Sequence, residues 1–171
     1  MASYEGGAQH MIYCFHGVPA NTWGECTGTF KIDNDAKASS PTMSIHLNWW
    51  DSSMDDSDVD WDAFAFKLQL PPTSAPTASP IATFAISGCT DGDGSFSSGS
   101  TAGFQGGQLS TIPDEADSSN TIMRQTGRAA STGLSFVLDT SCLDEGETYD
   151  VSFRYRPHGV GADKAVTKII G

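Results

Sequence analysis

Apolar and polar side chains alternate with a period of two in several stretches of this chain. The clearest are Thr42–Trp50, Ala63–Leu70 and Thr148–Arg156, in which every second residue is large and apolar. Successive side chains of a β-strand point to opposite faces of a sheet, so this period predicts strands with one buried and one solvated face. Weaker alternation predicts further strands at Met11–Phe15, Thr27–Ile32, Ile81–Ser87, Thr121–Arg124, Leu134–Asp139 and Ala165–Ile170.

No stretch of the sequence keeps the 3.6-residue apolar period of an amphipathic helix for three turns. Gly (18 residues) and Asp (16 residues) are abundant, whereas Lys and Arg together number only 9. Gly and Asp favour turns, and the long basic side chains that build helix surfaces are scarce. Eight or nine short strands joined by turns therefore predict an all-β fold: an antiparallel β-sandwich, jelly-roll or immunoglobulin-like, with minimal helix.

The length of 171 residues fits one domain with a substantial core. The segment 71–80 holds four prolines and either divides two domains or forms an extended surface loop. We favour the loop, because a domain ending before it would hold only about 70 residues, near the lower limit for independent stability. The expected organisation is a single β-sandwich domain over 1–171, with long loops at 51–62, 71–80 and 88–107 and terminal arms at 1–9 and 158–171.

A short segment where the chain enters the strand candidate Thr148–Arg156 has a specific pattern. Leu143, Gly146 and Tyr149 follow one another at intervals of three residues. The segment resembles the corner before a strand in fibronectin type III domains and in jelly-roll carbohydrate-binding modules. The resemblance covers about a dozen residues and implies a tyrosine corner, in which the Tyr149 hydroxyl bonds back to the backbone. It bears on the fold and implies no catalytic residue.

The chain is strongly acidic, with 21 Asp and Glu against 9 Lys and Arg and a formal net charge of −12. Binding to nucleic-acid phosphates needs clustered cations, so this charge argues against a nucleic-acid partner. No apolar run approaches the roughly 18 residues of a membrane-spanning helix, so a membrane partner is not expected either.

Six of the aspartates crowd into the segment 51–62. Like charges at this spacing repel one another, so the segment either stays solvated or binds a cation. Alternating carboxylates suit Ca²⁺ binding from a loop, although the Gly and the final Glu of an EF-hand are absent. The alternative is a solvated acidic loop, because Asp is common in turns for backbone reasons alone. The candidate Ca²⁺ ligands are Asp56, Asp58, Asp60, Asp62, Asp91 and Asp93.

Two tryptophans and two arginines are candidate interface residues. Trp50 and Trp61 bracket the acidic segment on its expected polar side, where exposed rings anchor a protein interface or stack on sugars. Arg154 and Arg156 share the polar face of one strand, and on so acidic a chain they are candidate contacts for an acidic neighbour. The alternatives are ordinary packing for the tryptophans and local ion pairs with aspartates for the arginines.

The N-terminal residues carry neither the basic region nor the apolar run of a secretory signal, so we expect synthesis in the cytoplasm. Cysteines there normally stay reduced, and small buried thiols are the default expectation for all four. Disulfides formed later are the alternative, and four cysteines permit three pairings. The cysteines are Cys14, Cys26, Cys89 and Cys142.

The composition is that of an extracellular β-domain, yet the chain has no export signal. Virion components combine these two properties, because they are made in the cytoplasm and leave the host by lysis. The sequence therefore predicts a structural virion protein: a capsid or capsid-decorating subunit on the outer surface, with itself or other capsid proteins as partners. The alternative is a calcium- or carbohydrate-binding β-sandwich module. No Walker loop, metalloprotease motif or nucleophile elbow occurs, so we predict no enzyme activity and no cofactor apart from Ca²⁺ in the alternative.

Overall fold

The computed structural model describes residues 9–14, 17–31, 42–47, 58–69, 94–128, 133–137, 143–159 and 165–170. Within these ranges every regular element is a β-strand, which confirms the predicted all-β class, and no helix there is able to cross a membrane. The strands are β1 (Gln9–Cys14), β2 (Gly24–Lys31), β3 (Thr42–Leu47), β4 (Val59–Leu68), β5 (Phe104–Gln105), β6 (Gln108–Pro113), β7 (Thr121–Thr126), β8 (Ser135–Val137), β9 (Thr148–Pro157) and β10 (Ala165–Ile170).

The strands form two antiparallel sheets of five strands each. The order is β1-β10-β3-β8-β5 in the first sheet and β2-β9-β4-β7-β6 in the second. The pairing is nested, because β1 pairs with β10, β2 with β9, β3 with β8 and β4 with β7. The chain therefore runs as a long hairpin whose two arms alternate between the sheets, and β5 and β6 extend one edge of each sheet.

The predicted strands match the observed strands in position and differ at their ends. The three clearest candidates overlap β3, β4 and β9, and five of the weaker ones overlap β1, β2, β7, β8 and β10. The remaining candidate, Ile81–Ser87, lies outside the described residues. The sequence did not predict β5 and β6, because glycines precede both strands and because Leu109 and Ile112 break the two-residue period.

Two parts of the predicted domain organisation are wrong. The loop predicted at 51–62 ends before Val59, where β4 begins. The first four residues of β4 already alternate between apolar and acidic side chains. The arm predicted at 158–171 contains β10, which lies between β1 and β3 and so belongs to the chain's own first sheet. The loop predicted at 71–80 and, apart from Gln9, the arm predicted at 1–9 lie outside the described residues.

A bulge in the middle of β4 decides which of its side chains face the interior. The register of β4 against β9 shifts by one residue between Asp62 and Ala65, and Ala63 takes a left-handed backbone conformation with φ of 49°. One inserted residue reverses the alternation of the strand. Trp61 and Phe64, three positions apart, are consequently both buried in the core.

Side chains from both sheets meet in one hydrophobic cluster. Phe64 of β4 packs edge-on against Phe136 of β8, with ring centroids 4.8 Å apart, and stacks on Phe153 of β9 at 5.9 Å. Phe96 and Phe104 belong to the glycine-rich segment predicted as a loop at 88–107, and both are buried in the same cluster. Part of that segment therefore fills the interior, where aromatic rings contribute a large buried area.

A disulfide between Cys14 and Cys26 connects β1 to β2, which are edge strands of different sheets. Both cysteines point into the core, and their Cα atoms are 5.4 Å apart, within the range that a disulfide spans. The expectation of reduced cysteines is therefore wrong for this pair, which forms a disulfide. Cys89 and Cys142 lie outside the described residues.

The tyrosine corner implied by the sequence is present. The Asp144 backbone N–H donates to the Tyr149 hydroxyl at 3.0 Å, and Tyr149 is buried. Gly146 has φ of 86°, a left-handed conformation that glycine adopts without steric cost. Leu143 is buried in the core cluster, so all three residues of the pattern serve the turn into β9.

Candidate functional site

Acidic and basic side chains face one another on the outer surface of the second sheet. In the strand register, Asp60 of β4 lies between Arg124 of β7 and Arg156 of β9, and Asp62 of β4 lies opposite Arg154 of β9. Residues directly opposite on neighbouring strands carry their side chains on the same face and within reach of each other. The alternation of β4 and β9 therefore brings these charges together on one polar surface.

The Asp60 carboxylate lies at the centre of this surface and is fully buried. Arg124 donates to it with Nε at 2.7 Å and Nη2 at 3.0 Å. Arg156 donates with Nη2 at 2.7 Å and Nε at 3.0 Å, and His158 Nε2 lies 2.8 Å away. Hydrogen bonds between charged partners are the strong ones in proteins. We call Asp60, Arg124, Arg156 and His158 the ionic cluster.

Burial and pairing act in opposite directions on the pKa of Asp60. Burial alone raises the pKa, but the hydrogen bonds from Arg124, His158 and Arg156 outweigh it and hold the pKa below its ordinary value. The hydrogen bond to Asp60 in turn raises the pKa of Arg124. Asp60 is therefore ionised at neutral pH and serves as the common counterion of both arginines.

His158 joins the ionic cluster to the connection between β1 and β2. Its Nδ1 lies 3.0 Å from Asn21 Oδ1, and the Asn21 N–H donates to the Pro157 carbonyl at 2.7 Å. Asn21 has φ of 59°, a left-handed conformation that Asn adopts more readily than most residues. Residues 17–23, which we call the β1–β2 loop, are thereby fixed to the end of β9.

Asp62 forms a second and more open set of contacts. Arg154 Nη1 donates to its Oδ2 at 3.2 Å, and Asn120 Nδ2 donates to the same oxygen at 3.3 Å. The Ala63 N–H donates to Oδ1 at 2.7 Å within the bulge. The Arg154 side chain is 42% exposed, against 8% for Arg156, so solvent screens this pair far more than it screens the ionic cluster.

Trp23, the last residue of the β1–β2 loop, packs against the arginines of β9. The guanidinium carbons of Arg154 and Arg156 lie 4.7 and 4.8 Å from the centre of its ring. A guanidinium at this distance over an aromatic face is an attractive cation–π contact. Trp23 therefore links the β1–β2 loop to the charged surface.

A surface depression of about 580 Å³ lies along the β1–β2 loop and the start of β2. A volume of several hundred Å³ is within the range of sites that bind small molecules. Its lining combines small, apolar, aromatic and polar side chains: Gly17, Val18, Pro19, Thr22, Trp23, Gly24, Glu25 and Thr27.

The predicted calcium ligands are not brought together in the described residues. Asp60 and Asp62 point at arginines, whose hydrogen bonds occupy the lone pairs that a cation would need. The Asp58 carbonyl accepts a hydrogen bond from the His158 N–H at 2.8 Å. No group of three or more His, Cys, Asp or Glu side chains able to hold a metal occurs within the described ranges. Asp56, Asp91 and Asp93 lie outside them, so a calcium site there stays a prediction.

Of the two tryptophans predicted at an interface, the structure describes only Trp61. Trp61 is 1% exposed, packs on Phe153 and Tyr155, and donates its indole N–H to Gln125 Oε1 at 3.1 Å. Its assignment to an exposed interface is therefore wrong, because Asp60 and Asp62, not Trp61, occupy the outer face of β4. Trp50 lies outside the described residues.

The predicted arginine interface is wrong for Arg156. That side chain is buried and committed to Asp60, which is the alternative of a local ion pair. Arg154 pairs with Asp62 but keeps a large exposed fraction, so its role at an interface stays a prediction.

The sequence did not identify four residues that build this surface. Trp23, Asn21 and His158 carry no pattern of their own, because each acts through partners distant in the chain. Arg124 was recognisable only as part of a strand candidate. The usable signal was the alternation of charges in β4 and β9, which predicts ion pairs once the two strands are known to be neighbours.

No protein-family model, no curated protein and no solved structure matches this chain. Its function is therefore inferred from strand order, interior packing and surface chemistry.

Proposed function

We propose that this protein is a structural component of a virion: a jelly-roll subunit of a capsid, or of a layer that decorates one. The observation that carries the proposal is the nested pairing of β1 with β10, β2 with β9, β3 with β8 and β4 with β7. Folding one long antiparallel hairpin across two sheets yields the eight-stranded jelly roll, with two successive Greek keys. In this interpretation β5 and β6 are an insertion between the fourth and fifth strands of the motif.

The jelly roll is shared by capsid subunits, lectins and cupins, so strand order alone does not select a function. The filled interior favours a structural role over a site held between the sheets. Phe64, Phe104 and Phe136 meet there with ring centroids 4.8 to 6.4 Å apart. Packed rings stabilise the two sheets against each other and leave the outer faces and loops for contacts with other molecules.

The charge of the chain favours the outside of a particle. With a net charge of −12, the protein is repelled by nucleic acid and suits a surface that faces away from the genome. The disulfide between Cys14 and Cys26 fits exposure to an oxidising medium after release from the cytoplasm. The partners proposed are further copies of the same chain and other capsid proteins.

Immunogold electron microscopy of particles tests this proposal. Antibodies raised against the full chain are applied to intact particles banded on a density gradient from lysates of cells that make the protein, with pre-immune serum as the control. We expect gold on the outer surface of the particles and the chain in the particle band. A chain that stays entirely in the soluble fractions, with unlabelled particles, contradicts the proposal.

Sedimentation velocity of the purified chain separates the two forms of the proposal. A shell-forming subunit is expected to assemble into ordered particles on its own as the concentration rises. A decorating subunit is expected to remain a small oligomer or a single chain that cosediments with stripped particles when it is added back to them.

A further inference from the structure

The β1–β2 loop is held rigidly at several points. The disulfide between Cys14 and Cys26 closes its base, and the Asn21 N–H binds the Pro157 carbonyl at 2.7 Å. Trp23 at its end packs against the arginines of β9. A surface loop fixed in this way loses little conformational entropy when a ligand binds, which is the property of a preorganised site.

One apolar residue that lines this depression, Val18, packs into the protein interior. Val18 is buried, and Gly24 allows it to pack there, because a Cβ on Gly24 would meet the Val18 Cγ2 and lie 3.0 Å from Tyr155 Cζ. Thr22, Glu25 and Thr27 are exposed residues of the lining and offer two hydroxyls and a carboxylate. The lining therefore combines apolar residues, an aromatic ring and several hydrogen-bonding groups.

The charges beside the depression select against ionic ligands. Arg154 and Arg156 lie against the Trp23 ring, so a further cation at this ring meets repulsion from both. Glu25, on the rim, disfavours an anion in the same way. Glu25 also lies opposite Arg154 in the register of β2 and β9, so the two charges offset each other locally. A neutral ligand rich in hydroxyl groups satisfies both constraints.

We propose that this depression binds a pyranose unit of a glycan. The Glu25 carboxylate accepts hydrogen bonds from sugar hydroxyls, and the Thr22 and Thr27 hydroxyls donate or accept further ones. The part of the Trp23 ring that is left exposed and the exposed Pro19 contact C–H groups of the sugar. The site does not use Trp61, one of the residues for which the sequence raised sugar stacking, because that side chain is buried in the core. The inference does not depend on the virion proposal, because it stands on this loop alone.

Gly17 supplies a variant that blocks the depression without disturbing the fold. Gly17 is exposed and lines the depression, and a Cβ added there meets no atom of the described residues within 4 Å, so we expect Gly17→Trp to add a ring at the depression without a clash at its Cβ. The matched control is Lys31→Trp, which adds the same ring at the exposed far end of β2, outside the lining. Circular dichroism confirms that both variants are folded.

The test is a printed array of animal, plant and bacterial glycans, probed with the biotinylated full chain tetramerised on streptavidin. Calorimetry then gives the affinity of the untagged chain for the soluble oligosaccharide of the strongest hit. We expect wild type and Lys31→Trp to bind within about twofold of each other and Gly17→Trp to lose about tenfold or more in affinity. Glu25→Gln is expected to weaken binding by about tenfold, since it removes the charged acceptor.

Three results overturn the proposal. The first is an array on which the wild-type chain binds no glycan. The second is full binding by folded Gly17→Trp or, if that variant does not fold, by Glu25→Gln. The third is binding that disappears when EDTA is added, because it would belong to a calcium-dependent site elsewhere in the chain.

Discussion

The two faces of β4 stabilise the same strand by opposite means. The inner face carries Trp61, Phe64 and Phe66, which are buried against aromatic rings of both sheets. The outer face carries Asp60 and Asp62, which are also buried, but among arginines of β7 and β9. One strand thus contributes both an apolar layer and a charged layer. The bulge at its centre reverses the alternation, so that Phe64 and Phe66 face the interior on the same side as Trp61.

Equal burial of the two faces therefore does not mean that they tolerate substitution equally. An apolar ring contributes in proportion to the area it removes from water, so its loss scales with the atoms deleted. A buried carboxylate contributes through its partners, and its removal leaves their charges uncompensated. Asp60 has two arginines and a histidine as partners, so a change of a few atoms there carries a cost similar to the loss of a whole ring.

The largest effect is expected on the inner face. Phe64→Ala deletes a ring that contacts Phe136 and Phe153, and we expect the free energy of unfolding to fall by about 4 kcal/mol. Urea denaturation followed by tryptophan fluorescence measures it. Leu68→Ala is the matched control, because Leu68 is on the same strand but 36% exposed, and it should cost less than about 1 kcal/mol. Equal losses for the two variants would contradict the interior assigned to Phe64.

On the outer face, only one substitution is expected to lower the free energy of unfolding nearly as much as Phe64→Ala does. Asp60→Asn keeps the shape of the side chain but removes the negative charge between Arg124 and Arg156, and we expect a loss of about 3 kcal/mol. Asp62→Asn should lose about 1 kcal/mol or less, because its partner Arg154 is 42% exposed and solvent screens the pair. Urea denaturation of both variants at neutral pH measures the difference.

The ratio between the stability losses of Asp60→Asn and Asp62→Asn tests whether burial strengthens the ionic cluster. A loss for Asp60→Asn no greater than that for Asp62→Asn would mean that burial of the ionic cluster adds nothing to its strength. The double variant Asp60→Asn with Arg156→Met tests the mechanism. Replacing the arginine by an apolar side chain removes one uncompensated charge, so it should recover part of the stability lost in the single variant.

The sequence was sufficient for the class of the fold and for most of the strands. A period of two is a local property, so β3, β9 and most of β4 were predictable from their own residues. The start of β4 was missed because four aspartates in Asp55–Asp60 suggested a solvated loop, although Val59 and Trp61 already alternate with them. The bulge at Ala63 was not predictable, because no Gly or Pro marks it in the sequence.

The candidate site was predictable only in part, for the same reason. Arg154 and Arg156 were visible as a stripe, and Asp60 and Asp62 as alternating carboxylates. That they neutralise one another follows from the pairing of β4 with β9, which joins residues more than ninety positions apart. Trp23 and Asn21 gave no signal, because their roles depend on how the β1–β2 loop lies against β9.

Acid should weaken the outer face selectively. The pKa of Asp60 is lowered in the folded protein, so its contribution is fully present above its unfolded pKa of about 4 and is lost as the pH falls through the folded value. The charges facing Asp60 are those of Arg124, Arg156 and His158, with Asp114 beside Arg156. The gap in stability between wild type and Asp60→Asn should therefore narrow between about pH 5 and pH 2, as measured by urea denaturation. A gap that stays constant over this range contradicts the role of the ionised carboxylate.

The smallest expected loss of stability comes from removing a single tyrosine hydroxyl that has a hydrogen-bond partner. Tyr149→Phe keeps the ring stacked on Phe66, with centroids 5.0 Å apart, but removes the acceptor of the Asp144 N–H. Leaving that backbone donor without its partner should cost about 1 kcal/mol, as measured by urea denaturation.

Tyr155→Phe is the control on a second buried tyrosine of β9. The Tyr155 hydroxyl is buried without a hydrogen-bond partner among the described residues, and burial raises its pKa to about 12. Removing a buried hydroxyl that has no partner relieves a desolvation cost, so this variant should be as stable as wild type or slightly more so. Were both variants to lose the same stability, the tyrosine corner would contribute nothing through its hydrogen bond, and Tyr149 would matter to the inner face of the sheet only as a ring.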